Sequence, residues 1–137
     1  MMNLYYDLHI HSCLSPCGDD DMTPANIAGM AMLKGLDVIA VTDHNSCQNC
    51  PAVCKLAAEY GILALPGMEL TTMEEVHAVC LFPALSDALA FDRYVSDRLP
   101  PVPNREDIFG KQQIMNEEDI CIGTEPNLLI NSTELSF

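Results

Sequence analysis

The first half of the chain alternates short apolar runs of strand character with runs of helical spacing, and that alternation constrains the fold more than any other feature. Leu4 to His11 reads as a strand, with Tyr6, Leu8 and Ile10 on one face and Tyr5, Asp7, His9 and His11 on the other. A loop from Cys13 to Met22 follows, carrying Pro16, Gly18 and the aspartates Asp19 to Asp21. Thr23 then caps a helix with Pro24 at its first position; Ile27, Met30, Ala31 and Leu33 are expected to face inward and Gly35 to end it. Leu36 to Thr42 suits a strand covered on both faces. A second helix begins near Pro51, with Val53, Leu56, Ala57 and Tyr60 at helical spacing and Gly61 as its stop. Ile62 to Leu65 and Val76 to Phe82 read as third and fourth strands. Repeated strand–helix–strand units imply an α/β fold with right-handed crossovers and parallel strands, either an open sheet or part of a barrel.

The second half is less regular. Ser86 to Leu99 has the pattern of an amphipathic helix capped by Ser86 and stopped before Pro100 and Pro101. Gln112 to Met115 and Ile120 to Gly123 flank an acidic turn, which predicts a polar hairpin insertion over residues 112–123. Asn131 to Phe137 reads like the cap of a helix that then stops, so the chain is expected to be the front part of a longer protein.

Charge narrows the function classes. Twenty acidic residues against 6 Lys and Arg give a formal charge of −14, with no basic patch for a nucleic-acid backbone. An acidic protein can still hold an anion when bound cations supply the positive charge. No apolar run approaches the roughly 20 residues of a membrane span, and the start carries no signal-peptide pattern. The expectation is a cytoplasmic globular protein with no membrane partner. Its 7 cysteines are then reduced thiols, and the odd number prevents complete pairing within the chain.

All 4 histidines lie in the first 77 residues, each at or near a strand. His9 and His11, two apart in a strand, project from one face and can chelate one ion together. His44 ends the second strand in Val41-Thr42-Asp43-His44, where parallel sheets and barrels carry their active sites. Glu69 follows Pro66-Gly67-Met68, and His77 comes eight residues later. Imidazoles and carboxylates in this combination are ligands for zinc, manganese or iron. Asp43, beside His44, can orient a ligand or act as a base, with a plain strand-end carboxylate the favoured role; Arg98 and Arg105 can reach a substrate phosphate, with surface solvation favoured.

The ordered set Asp7-Leu8-His9-Ile10-His11-Ser12, Val41-Thr42-Asp43-His44-Asn45, Pro66-Gly67-Met68-Glu69 and Glu75-Val76-His77 resembles the opening motifs of the polymerase and histidinol phosphatase family, the PHP domain. The resemblance implies a distorted seven-stranded β/α barrel of TIM-like form, with residues 1–137 as its N-terminal part. It implies two or three divalent metal ions at the carboxyl ends of the strands and hydrolysis of phosphate esters by metal-activated water. The implied substrates are small phosphorylated molecules, nucleotides or nucleic-acid ends. His9 and His11 match the paired ligands of one ion, Glu69 the bridging carboxylate, His77 a ligand of the second ion and His44 a ligand of a third or of the site's other side. The family also places an Asp or His in the loop after the first strand. Counting forward from His9 favours Cys17 and counting back from Thr23-Pro24 favours Asp19; a carboxylate suits manganese better than a thiolate, so Asp19 is the choice.

The later motifs of the family include a further histidine and a closing Asp-x-His pair, whereas residues 78–137 contain no histidine. The chain by itself is therefore expected to bind metal weakly or in part, to be inactive or weakly active, and to expose edges through which copies associate. Two rival readings exist. Cys47-x-x-Cys50-x-x-x-Cys54, with Cys13 and Cys17 upstream, has spacing permissive for a zinc or iron–sulfur module. A non-catalytic scaffold of the same fold is the other.

Overall fold

Three runs rich in β-branched and apolar residues lie side by side in the computed structural model, which describes residues 2–137: β1 (Tyr6–Ile10), β2 (Val38–Val41) and β3 (Leu63–Thr71). β1 pairs with β2 and β2 with β3, both in parallel, and β4 (His77–Leu81) adds to the far side of β3. The result is a curled, parallel-rich four-stranded sheet in the order β1-β2-β3-β4. The mixed α/β class expected from the sequence is observed, while the seven strands of a closed barrel are not among these elements.

The fourth strand departs from the parallel expectation. It runs antiparallel to β3, with Thr71 opposite His77 and Gly67 opposite Leu81. Only residues 72–76 connect the two strands, and a parallel return needs a crossover of about a dozen residues or more. The turn is closed by Glu75 N donating to Thr72 O at 2.9 Å and Val76 N to Thr72 Oγ1 at 3.1 Å, with Glu75 at φ 62°.

β3 also extends further than Ile62 to Leu65, running through Pro66 and Gly67. Pro66 keeps a ladder contact through its carbonyl, which accepts from Phe82 N at 2.9 Å. Gly67 is required by packing, because a Cβ there would meet Thr42 Cγ2 at 2.9 Å and both Cys80 O and Leu81 Cδ2 at 3.0 Å. The missing side chain lets three strands close up just before Glu69.

Helix α1 (Pro24–Leu33) starts as its sequence dictates, with Thr23 Oγ1 accepting from Asn26 N at 3.2 Å. Its buried stripe is Pro24, Ile27, Ala28 and Ala31, so Met30 and Leu33 face outward against expectation; Leu33 is 72 % exposed. The small alanines allow close approach to α2 (Cys50–Glu59), which buries Val53, Leu56 and Ala57 but leaves Tyr60 exposed. Ile27, Ala31, Val53 and Ala57 pack with Ile39, Val41 and Ile62 in the first core. A second core joins Met68 and Leu70 of β3 to Ala88 and Val95 of α3 (Leu85–Ser96) and to Cys47 and Cys50. Helix α3 begins after Ala84 rather than at a Ser86 cap, and Ser86 falls in its first turn.

After the short helix α4 (Glu106–Phe109), the expected polar hairpin is present as β5 (Gln113–Met115) and β6 (Cys121–Thr124), paired antiparallel. Residues 131–137 start no helix. Thr133 instead pairs with the end of β3 through its N and Oγ1, both donating to Thr71 O at 3.0 and 2.7 Å. Among the described residues, no helix is long and apolar enough to cross a membrane.

Candidate metal centre

The sheet brings five of the sequence-selected side chains to one place. His9 lies near the end of β1 and His11 just beyond it. His44 follows β2 and pairs in register with Glu69 of β3. Because β4 is antiparallel, its first residue, His77, sits at the same end of the sheet, beside Thr71. The reversed strand thus supplies a side chain that a parallel fourth strand would have placed at the opposite end.

Glu69 is the hub. Its Oε1 lies 2.5 Å from His9 Nε2 and 3.7 Å from His11 Nε2, and its Oε2 lies 3.1 Å from His44 Nδ1 and 3.2 Å from His77 Nδ1. Glu69 is 5 % exposed, and the two Nε2 atoms of His9 and His11 are 3.2 Å apart. Burial alone would raise the pKa of Glu69, but the His77 hydrogen bond and the nearby His44, His11 and His9 outweigh it and hold the group below its ordinary value. Burial, and then repulsion from His11, pushes His44 down to about 4, so its imidazole is neutral at physiological pH, the form that ligates metals.

Three overlapping groups have the composition of an ion site: His9, His11 and Glu69; His44, Glu69 and His77; and His11, Cys17 and His44. Glu69 is common to the first two, as a bridging carboxylate would be. The donor set fits a divalent ion by its chemistry. The fit has a second sign: the buried Nδ1 of His44 has no hydrogen-bond partner, because its short approach to Glu69 lies off the direction of a ring N–H.

Behind the histidines lies a buried polar layer. Asp43 is not a simple strand-end carboxylate: it is buried and accepts from Ser12 N at 2.7 Å, Ser12 Oγ at 2.6 Å and Ser15 Oγ at 2.7 Å. Burial raises its pKa, and the serine bonds oppose that rise. Ser15 has a single hydroxyl proton, which goes to Asp43, so Ser15 Oγ accepts from His44 N and from His11 Nδ1, each at 3.1 Å. His11 is thereby fixed with its proton on Nδ1 and its Nε2 lone pair facing Glu69 and His9.

Asn49 ties this layer to the hairpin, donating to Ser12 Oγ at 2.9 Å and Gln113 O at 3.1 Å while accepting from Met115 N at 2.8 Å. Asn45, at φ 51°, donates to Leu129 O and Asn131 O, both at 2.8 Å, and accepts from Thr71 N at 2.9 Å. Sequence reasoning missed Ser15, Asn45 and Asn49 in these roles. The available signal was a dense run of small polar residues beside His11 and His44.

Asp19 does not join the cluster. It is exposed, and its Oδ1 accepts from Asp21 N at 2.9 Å within its own turn. Cys17 stands beside His11 and His44 instead. The cysteines further along are packing residues: Cys47 Sγ and Cys50 Sγ donate to Gly67 O at 3.3 and 3.4 Å, and Cys54 Sγ donates to Ala64 O at 3.5 Å. The side-chain hydrogen bond shared with Cys50, and then burial, raises Cys47, while burial pushes Cys54 up to about 11, which suppresses thiolate chemistry there. Arg105 pairs with Asp107 at the surface and Arg98 lies over the Tyr94 ring at 3.7 Å, so neither serves the cluster.

The profile of the family described as PHP domain matches residues 7–124. An uncharacterized protein of Methanocaldococcus jannaschii is 37 % identical over 76 residues, covering 50 % of this chain and 44 % of that protein. A 5'-3' exoribonuclease of Salmonella typhimurium is 32 % identical over 95 residues, covering 62 % of this chain and 31 % of the relative. Among solved structures, an amidohydrolase from Chromobacterium violaceum, with bound sulfate and no metal, superimposes with a TM-score of 0.53 at 29 % identity, covering 67 % of this chain and 33 % of that one. The chain spans less than half the length of these curated relatives.

Proposed function

The chain belongs to the PHP domain family, and from that premise we propose that its histidine–glutamate cluster holds divalent metal ions for the hydrolysis of phosphate esters. The observation that carries this reading is the buried Glu69 carboxylate, whose ion-pair partners are all imidazoles. A structural carboxylate at such a position would be expected to face Lys or Arg. His9, His11 and Glu69 would hold one ion, and His44, Glu69 and His77 a second, drawn from zinc, manganese and iron. Such ions lower the pKa of a coordinated water toward neutrality and offset charge on phosphoryl oxygens.

The chain's own residues prepare the site. Glu69 supplies a fixed negative charge between the two groups. Asp43 and Ser15 hold His11 in one tautomer, and the bond that His44 N donates to Ser15 Oγ holds the second imidazole. Glu69 N donates to Asp43 O and Asn45 N to Glu69 O, at 2.9 and 3.0 Å, locking the two strand ends in register. Glu69 is paired with imidazoles and not with Lys or Arg, so a phosphate anion approaching a −14 protein depends on the bound ions for attraction.

Relatives named exoribonucleases in two bacteria support a nucleotide or nucleic-acid-end substrate. The absence of a basic patch favours a short end over a long duplex tract. In this reading the sheet is the leading part of a seven-stranded β/α barrel, and turnover by these 137 residues alone is weak, since no histidine follows His77.

Phosphate binding tests the proposal without requiring turnover. Inorganic phosphate titrated into zinc- or manganese-loaded protein should bind, and the heat should vanish with a chelator and in Glu69→Gln. Binding that is indifferent to metal, or unchanged in Glu69→Gln, would place the anion elsewhere and overturn the proposal.

A further inference from the structure

A buried hydroxyl stands unused beside the histidines. Thr71, the last residue of β3, is 3 % exposed, and its Oγ1 has no hydrogen-bond partner. Its backbone is fully committed: N donates to Asn45 Oδ1 at 2.9 Å, and O accepts from Thr133 N and Oγ1 at 3.0 and 2.7 Å. The neighbouring hydroxyls of Ser12 and Ser15 donate to Asp43 and that of Thr133 to Thr71 O, so their protons are taken. A buried hydroxyl left unpaired weakens a fold, and its presence calls for an explanation outside the fold. Alternation along β3 puts Thr71 on the same face as Glu69, two residues earlier. Its cross-strand neighbour is His77, whose ring reaches Glu69 on that face. The His77 side chain is 52 % exposed, so the Thr71 hydroxyl lies just beneath the open side of the group formed by His44, Glu69 and His77. Thr42 Oγ1 is also buried without a partner, but it sits deeper, level with Gly67 and two residues before His44.

We propose that Thr71 is a substrate-binding residue whose hydroxyl donates a hydrogen bond to a phosphoryl oxygen of the anion held at this group. The inference rests on the phosphate-ester reading above and adds to it a contact from the chain itself. The hydroxyl carries one proton and has no competing acceptor. A bond from it to an anion is charge-assisted and stronger than one between neutral groups. Asn45 and Thr133 hold Thr71 in place before the anion arrives, so little ordering remains to oppose binding.

Titration calorimetry with inorganic phosphate on zinc-loaded protein tests this, beside zinc retention against a chromophoric chelator. Thr71→Val removes the hydroxyl and keeps the shape, Thr71→Ser keeps the hydroxyl, and Thr42→Val removes the deeper hydroxyl as a control. Phosphate should bind Thr71→Val about 10–100-fold more weakly than wild type, and Thr71→Ser and Thr42→Val as wild type does. Zinc retention should be the same in every variant. The thermal midpoint of metal-stripped Thr71→Val should equal or exceed that of wild type, because an unpaired hydroxyl has been removed. Wild-type affinity in Thr71→Val, an equal loss in Thr71→Ser or Thr42→Val, loss of zinc along with phosphate, or a lowered midpoint would each overturn the inference while leaving the histidine–glutamate centre standing. Absence of phosphate binding by the zinc-loaded wild type would overturn the inference and the phosphate-ester reading together.

Discussion

At the scale of single residues, the centre depends on protons being held in fixed places. Ser15 is the pivot, because one hydroxyl serves Asp43, His11 and the backbone of His44. Ser15→Ala frees the His11 tautomer and leaves Asp43 one bond short. Metal affinity should fall by about 10–100-fold, measured by competition with a chromophoric chelator, while the fold loses about 1–3 kcal/mol in urea unfolding. His44 gives a pH signature in metal-stripped protein. Its folded pKa is depressed to about 4 from an ordinary 6.5, so its contribution to stability is full above pH 6.5 and is lost as pH falls toward and through 4. Asp43, whose pKa is raised, acts in the opposite sense, contributing stability at low pH that is lost as pH rises. Thermal midpoints of wild type and His44→Gln should therefore converge as pH drops from 6.5 to 4, and a gap independent of pH would refute this assignment. The clustering of the histidines was legible in the sequence because they are few and all 4 lie at or near strands. Ser15 and Asn49 were not, and Asp43 was legible only as one of several roles, since such residues are ordinarily solvated and only the packed fold shows that they are buried.

At the scale of elements, the site is assembled by strand ends, and strand spacing sets its precision. Gly67 lets β2 and β4 close on β3 two residues before Glu69. Gly67→Ala should destabilise the protein by about 1–3 kcal/mol through overpacking, against Thr42, Cys80 and Leu81. A lower urea midpoint with an unchanged m-value would bear this out, and an unchanged midpoint would contradict it. The alternation of strands and helices and the hairpin at residues 113–124 were legible from spacing and turn residues. The direction of β4 was not legible, because the third strand reads from sequence as ending at Leu65, and only the structure shows β3 running to Thr71 with a five-residue connection to β4. The inward face of α1 was harder to read, because its stretch from Pro24 to Leu33 is apolar nearly all round and only the packing partner selects Ile27, Ala28 and Ala31 over Met30 and Leu33.

At the scale of the whole molecule, two cores on β2 and β3 hold a strongly acidic chain around a buried carboxylate and four imidazoles. The same negative charge that keeps phosphate away from the bare protein becomes compatible with a phosphate substrate once cations occupy the centre. The cluster at one end of the sheet lies within the residues that match the PHP domain family. The central claim is that the metal belongs to the histidines. Elemental mass spectrometry on untagged protein and on His9→Ala/His11→Ala, after dialysis against zinc, manganese and iron, tests it most directly. The account predicts retained divalent metal in the wild type and its loss in the double variant; equal metal in both, or none retained by either, would contradict it.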